Sequence, residues 1–300
     1  MNNISVIIAI AVIVTGLALY VYTNDKVVIP SSSITMPIYL KKSSGTTLYV
    51  YESVGTSSRK WSSFYDRRHK EPRSAYLTLC DNTHVTNHTI GDIVPVNDEM
   101  LVKLIPERKI SPESLQYNRL LRDLLLLKLV CRNGGIVCPR HTIFMKDTEY
   151  LVQQTNDPKT IFVYGSGNDE YGCPIFASYG GCETEITELI EQQGEMWFKG
   201  GTEFKGGAIE LLSNTNKLDT KLLSGVAEIG LHDLTQELKY DEKHIAIRIP
   251  FTQHSGSSGT ARTHEWIYSV SFDELIESPS LFRNLVVIGS KGKLMCLEDK

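Results

Sequence analysis

The chain has 300 residues, an apolar content of 41%, a charged content of 22% and a formal net charge of −4. Such a length and composition predict an ordinary folded protein, with one large domain and an ample core. The slightly acidic balance argues against a basic nucleic-acid-binding surface, so no nucleic acid is expected as a partner. Six cysteines without any CxxC pair argue against both a zinc ribbon and a disulfide-rich scaffold.

The N-terminal segment is an uncharged apolar stretch of nineteen residues, from Ile4 to Tyr22. A helix of this length crosses the roughly 30 Å hydrocarbon layer of a bilayer. No Lys or Arg precedes the stretch, which predicts an uncleaved transmembrane helix rather than a signal peptide. The nearest basic residues, Lys26, Lys41 and Lys42, follow the span. The positive-inside rule therefore predicts a single-pass membrane protein whose folded domain faces the cytoplasm.

Three regions are expected: the transmembrane anchor over 1–26, a flexible Ser- and Pro-containing tether over 27–47, and a folded domain over 48–300. In the folded domain strands alternate with helices, which predicts an α/β domain with a mainly parallel sheet. Predicted strands cover 47–51, 75–80, 92–96, 160–164 and 245–250. Predicted helices cover 61–70, 97–105 and 183–193, together with a leucine-rich helix capped by Ser111 and a last helix that begins at Ser271.

The cysteines, one surface loop and a glycosylation sequon are further features of the folded domain. Cys80, Cys131 and Cys138 are predicted to be buried free thiols, whereas Cys173 and Cys182 could meet across a loop. Residues 254–264 have the composition of a surface loop. The sequon that begins at Asn87 is expected to stay unused on the cytoplasmic side of a membrane.

The stretch from Leu115 to Asp147 organises the folded domain. Its leucine-rich helix is apolar on nearly every face, which is typical of a helix in the middle of a domain. Asp123 lies within this apolar run, where a carboxylate needs a partner or a chemical role. Gly134-Gly135 then ends the helix, where a positive φ or a close backbone approach is expected.

The order and spacing of these residues resemble the DXD-type glycosyltransferases, a family that includes capsular-polysaccharide and initiating mannosyl transferases. Its pattern is Asp-x-x-Arg on a helix, then Gly-Gly, then an Asp-x-Asp motif. In a gap-free alignment the first Asp falls on Asp123 and the glycines on Gly134-Gly135. The Arg falls on Leu126, and the metal-binding motif falls on Pro139-Arg140-His141. The resemblance covers roughly residues 48–290 and implies a Rossmann-like, GT-A-like fold.

In that family the carboxylates of the motif hold Mn²⁺ or Mg²⁺ and the diphosphate of a nucleotide sugar. Hard cations require oxygen ligands, and here Pro139 and Arg140 supply none. We therefore expect no metal cofactor and a vestigial donor site formed by Asp123, Gly134, Gly135, Arg140 and His141. These residues also have ordinary structural interpretations. Asp123 would pair with Arg119 or Arg122 or cap a neighbouring loop, and His141 would end a strand. Arg140 would be solvated or salt-bridged, with direct binding of a phosphate as the alternative.

Three functional hypotheses follow from the resemblance and the lost motif. The first is a membrane-anchored, non-catalytic pseudo-glycosyltransferase with a structural or interaction role and with protein partners. Because the family occurs in bacteria, eukaryotes and large DNA viruses, a minor virion protein that ties an inner membrane to a capsid or scaffold is one such role. The second is an active hexosyltransferase that uses a nucleotide sugar at a rearranged donor site. A non-catalytic binder of glycans or nucleotide sugars is a third reading.

Overall fold

The computed structural model describes residues 46–52, 75–108, 110–116, 118–165, 173–198, 207–215, 217–234, 236–237, 240, 243–249 and 270–293. Within these ranges, no helix combines the length and the apolar character needed to cross a bilayer. The predicted transmembrane helix over 4–22, nearly all of the tether, the helix over 61–70 and the loop over 254–264 lie outside the described residues.

The described strands form two sheets. The strands are β1 (Leu48–Tyr51), β2 (Ile93–Val96), β3 (Gly135–Pro139), β4 (Thr142–Phe144), β5 (Thr160–Tyr164), β6 (Ile175–Ser178), β7 (Asp219–Leu222), β8 (Val226–Glu228) and β9 (Ala246–Arg248). The larger sheet has the order β2-β1-β3-β6-β5-β7, and the smaller has the order β4-β9-β8. In the larger sheet β1 runs parallel to β2 and β3, and β5 runs parallel to β7. Only β6 is antiparallel to its neighbours.

Helices accompany the sheets. They are α1 (Ala75–Asn87), α2 (Asp98–Val102), α3 (Arg119–Asn133), α4 (Glu149–Val152), α5 (Glu183–Phe198), α6 (Ala208–Thr215), α7 (Leu231–Leu234), α8 (Phe272–Glu277) and α9 (Leu281–Gly289). The fold is thus α/β, with a mainly parallel mixed sheet flanked by helices, as the sequence predicts. The strands at 48–51, 93–96 and 160–164 and the capping box between Ser271 and Glu274 are also confirmed.

The leucine-rich helix is buried as expected, but it begins later than predicted. Leu124, Leu125, Leu126 and Leu127 are fully buried in α3. The N-cap is Asn118, whose side chain accepts a hydrogen bond from Leu121 N at 3.0 Å. The residues after Ser111 instead form a separate 3₁₀ turn, Pro112–Gln116. The sequence has two helix-capping residues close together, Ser111 and Asn118, and the α-helix begins after the second.

The strand predicted over 75–80 is wrong, because these residues form the first half of α1. Residues 75–80, AYLTLC, are rich in apolar and aromatic residues as a strand is, but the buried positions Tyr76, Leu79, Thr83 and Asn87 recur at helical spacing. Two of these inward positions are polar, so the helical period is hidden in the hydropathy pattern.

The cysteines follow the prediction only in part. Cys80 and Cys138 are buried free thiols, as expected, and Cys173 is also buried and free. Cys131 was predicted to be free, but it forms a disulfide with Cys182, with a Cα–Cα distance of 4.8 Å. The bond joins the end of α3 to the residue before α5, where Gly181 N donates to Cys131 O at 2.6 Å. A contact between residues 51 positions apart leaves no local signal in the sequence.

Candidate functional site

The candidate site lies at the carboxyl ends of β1 and β3. The chain leaves β1 toward β2 on one side, and β3 lies on the other side of β1. In α/β sheets, ligands bind outside the carboxyl ends of the strands at such a reversal of strand order. Tyr51 and Pro139 are paired at these ends, and Arg140 N donates to Tyr51 O at 2.9 Å. Pro139-Arg140-His141, the segment aligned with the metal-binding motif, therefore lies at this position.

Arg140 lies between the carboxylates of Asp81 and Glu52. We call these three side chains the edge cluster. Arg140 Nε donates to both carboxylate oxygens of Asp81 at 3.1 Å, and its Nη2 donates to Asp81 Oδ2 at 2.6 Å. Its Nη1 donates to Glu52 Oε2 at 2.7 Å. Burial disfavours the charged guanidinium, but the two carboxylates outweigh burial and raise the pKa of Arg140 above its ordinary value. With all three groups ionised, the cluster has a net charge of −1.

His141 lies in the turn between β3 and β4 and is half-buried. Burial is the main cause that lowers the pKa of its ring to about 3, and the charges of Arg248 and His84 lower it further. The imidazole is therefore neutral at physiological pH. A single neutral imidazole next to a cationic side chain is a poor ligand for a hard divalent cation.

Asp123 pairs with its neighbour in the chain, which is one of the two partners that the sequence predicts. Arg122 Nε and Nη2 donate to Asp123 Oδ1 at 3.0 and 2.9 Å. The Arg122 guanidinium carbon also lies 5.8 Å from the centre of the Tyr51 ring, a cation–π distance. Tyr51 in turn donates its hydroxyl to Asp98 Oδ1 at 2.6 Å. Burial raises the pKa of Asp123, and the attraction of Arg122 opposes that effect.

Arg248 is a residue of this site that the motif alignment does not reveal. Its side chain is fully buried, and its Nη1 donates to Glu228 Oε2 at 2.5 Å. Its positive charge acts to lower the pKa of both Asp123 and His141. The sequence does contain a signal for this residue, because an arginine inside the apolar run IAIRIP is expected to be buried and a buried charge must be paired. The structure thus brings Asp123, Arg140, His141 and Arg248 to one edge of the sheet.

Gly134 and Gly135 do not belong to this edge. They stand at the amino end of β3, four residues and therefore roughly 13 Å from its carboxyl end. Both have positive φ, 76° and 112°. A Cβ at Gly134 would lie 2.7 Å from Tyr179 O, and one at Gly135 would lie 2.3 Å from Thr47 O. The glycine pair is required by close backbone packing, as the sequence predicts, and has no contact with the candidate site.

The residues present at the edge do not fit a divalent metal. The two carboxylates nearest to the motif position, Asp81 and Glu52, are engaged by Arg140, and a metal ion would have to displace that cation. Across the part of the chain that the structure describes, no group of three His, Cys, Asp or Glu side chains could hold a metal ion. Comparisons with protein-family models, with curated proteins and with solved structures found no match for the chain.

Proposed function

We propose that this chain is a membrane-anchored, glycosyltransferase-like protein that no longer transfers sugars and instead has a structural or interaction role. The observation that carries the proposal is the edge cluster, in which a guanidinium occupies the position of the metal-binding motif. The mixed sheet, with its strand-order reversal beside this position, is compatible with the Rossmann-like, GT-A-like fold that the resemblance implies.

The electrostatics of the edge cluster support this proposal. A nucleotide-sugar diphosphate needs positive charge to stabilise it as a leaving group, which a divalent cation normally supplies. Arg140 supplies one positive charge, but Asp81 and Glu52 more than cancel it. An incoming diphosphate would meet a net negative cluster and would have to break four charge-assisted contacts. The same contacts hold the guanidinium in place without any ligand.

The proposed setting is a membrane surface, with a capsid or scaffold protein as partner. The charge bias after the apolar segment 4–22 favours a domain on the cytoplasmic side, as in a virion protein between an inner membrane and its shell. The Cys131–Cys182 disulfide favours the opposite side, because disulfides are rare in the reducing cytosol. Orientation is therefore a separate question from catalytic loss.

Orientation can be tested with an engineered glycosylation site. The natural sequon is a poor reporter, since Asn87 is fully buried and its amide donates to three backbone carbonyls. Lys291→Asn with Lys293→Thr places a sequon on the exposed turn after α9, where Lys291 already has a φ of 52° that Asn tolerates. A glycan on this variant in a eukaryotic host would refute the cytoplasmic orientation. Its absence, with a lumenal control protein glycosylated, would support that orientation.

One observation favours the alternative of an active transferase with a rearranged donor site. The family arginine is replaced by Leu126, but Arg122 stands one helical turn earlier on the same face of α3. Its guanidinium lies against Tyr51, at the end of β1. Arg122 could therefore supply the missing charge to a donor phosphate.

Calorimetric titration of the full chain with UDP-, GDP- and CMP-sugars, with and without Mn²⁺, separates the two functions. The non-catalytic proposal predicts no heat of binding in any titration, with a folded protein verified by circular dichroism. Micromolar binding would refute it, and loss of that binding in Arg122→Met would favour the rearranged site. Arg132→Met, which removes a half-exposed arginine from the far end of the same helix, is the matched control.

A further inference from the structure

The outer edge of β7 is an exposed strand edge of the larger sheet. β7 is the last strand in the sheet order, and no described strand pairs with its outer side. Asp219 and Lys221 are exposed, and Leu222 has 72% of its surface exposed. An open edge with an exposed apolar side chain is a template for pairing with another strand.

The hydrogen bonds of β7 define which backbone groups face outward. Asp219 N donates to Lys159 O at 3.1 Å, and Leu223 N donates to Val163 O at 2.8 Å, both toward β5. Because successive residues of a strand point their N–H groups to opposite sides, Lys221 also faces β5. The N–H and C=O groups of Thr220 and Leu222 therefore face away from the sheet, on the side where no described strand pairs with β7.

A second apolar side chain lies near the end of this edge. Gln154 Nε2 donates to the carbonyl oxygens of Tyr150 and Ser224, each at 3.2 Å. These two oxygens are therefore no more than 6.4 Å apart, which brings α4 next to the turn that follows β7. Tyr150 is 55% exposed. Exposed apolar surface thus accompanies the open backbone edge, as at a protein interface.

We propose that β7 pairs with β7 of a second copy of this chain, antiparallel and about a two-fold axis through Thr220. In this register Thr220 faces Thr220 of the partner subunit in a hydrogen-bonded pair. Asp219 faces Lys221 of the partner subunit, and the symmetry repeats this opposite-charge pair. Leu222 faces position 218, which directly precedes β7 and whose leucine is buried in its own chain, so the backbone of the second copy covers part of the exposed Leu222 side chain. Such directly opposite pairs are the stabilising units of a sheet, and a two-fold interface requires this self-complementarity.

The neighbouring registers lack this complementarity. Because only alternate residues of β7 turn their hydrogen-bonding groups outward, an antiparallel partner strand moves in steps of two residues. If the partner strand is shifted by two residues in one direction, the two-fold axis passes through Lys221, and the two copies of this lysine lie directly opposite each other. Shifted the other way, the axis passes through Asp219 and sets two aspartates opposite each other. Like charges directly opposite are destabilising, so the charges select the register centred on Thr220. This inference is independent of the proposed function.

Charge reversal tests the register. The full chain, purified in a mild detergent, is followed by sedimentation velocity over a range of protein concentrations. Lys221→Asp alone and Asp219→Lys alone each create two like-charge pairs and should weaken self-association roughly tenfold or more. The double variant should restore self-association to the parental level. A monomeric parent, or a double variant no stronger than the singles, would refute the pairing. Lys293→Asp, a change at an exposed lysine after α9, is the control for a general effect of charge.

Cysteine cross-linking tests the position of the two-fold axis. A hydrogen-bonded antiparallel pair has a Cα–Cα distance of about 5.5 Å, within the range of a disulfide. Thr220→Cys should therefore form a covalent dimer under mild oxidation, beyond any dimer of the parent chain. Leu222→Cys should not, because its two copies are offset by four residues, or roughly 13 Å, along the strands. Equal cross-linking of the two variants would contradict the register.

Discussion

Removal of the Asn87 side chain should destabilise the protein far more than removal of the sequon that contains it. Asn87 is fully buried on α1, and its Nδ2 donates to Phe144 O at 2.9 Å and to Gly289 O at 2.6 Å. It also donates to Thr83 O within the same helix, at 3.0 Å. The amide thus joins three elements: α1, β4 and α9. Asn87→Ala leaves the carbonyl groups of Phe144 and Gly289 buried without this donor.

The expected loss follows from these two contacts between elements. A buried acceptor that loses its donor costs roughly 1–3 kcal/mol, and a solvent molecule in the space left by the amide offsets part of that cost. For two carbonyls we expect a decrease of about 2–4 kcal/mol in the free energy of unfolding. In a domain of this size the decrease corresponds to a loss of about 5–15 °C in Tm.

Differential scanning calorimetry of the full chain measures this effect. The matched control is Thr89→Ala, which also abolishes the sequon but removes only an exposed hydrogen bond to Asp147. The control should stay within about 0.5 kcal/mol of the parent. Equal melting temperatures for Asn87→Ala and Thr89→Ala would refute the structural role of the Asn87 amide.

Three further predictions concern covalent, ionic and protonation states. Replacing Cys131 and Cys182 together by Ala should lower the free energy of unfolding by about 4 kcal/mol, from the loop of 51 residues that their bond closes, and urea unfolding with and without reductant measures it. Arg140→Met should cost about 2–3 kcal/mol, because Asp81 stays largely buried without its cation, and a double-mutant cycle with Asp81→Asn should give a coupling above 1 kcal/mol. His141 has a folded pKa of about 3, below its unfolded value near 6.5, so its contribution to stability is complete above pH 6.5 and decreases as pH falls toward 3. His141→Gln should therefore reduce the slope of stability against pH by about 1.4 kcal/mol per unit between pH 6 and 4; an unchanged slope contradicts a ring that stays neutral in the folded protein.

The sequence predicts those parts of the fold that depend on local signals. The α/β class follows from the alternation of strands and helices, and the burial of α3 follows from its uniform apolar character. Asn97, the first residue of the helix predicted over 97–105, caps α2, which ends earlier than predicted, at Val102. Local signals fail where the inward face of an element is polar. In α1 the buried Thr83 and Asn87 interrupt the apolar pattern, so its first half resembles a strand.

The candidate site is only partly accessible from the sequence. The alignment with the family motif selects Arg140 and His141. In the structure both residues lie at the carboxyl ends of β1 and β3, where the strand order reverses. The alignment also selects Gly134 and Gly135, which the strand carries to the opposite edge. The partners of Arg140 are absent from the motif, because Asp81 comes from α1 and Glu52 from the end of β1. Contacts that depend on the packing of distant segments cannot be inferred from residue spacing.

The hydrogen bond from Asn87 to Gly289 spans 202 residues, and this separation has a consequence for synthesis. Contacts between distant parts of a chain form late and slow the folding of a domain. During translation, α1 leaves the ribosome long before α9 is made, so the Asn87 amide cannot reach its final acceptor until residue 289 has emerged. A nascent chain arrested before residue 289 should therefore remain sensitive to protease over α1, and the packing of α1 is completed only after α9 has emerged.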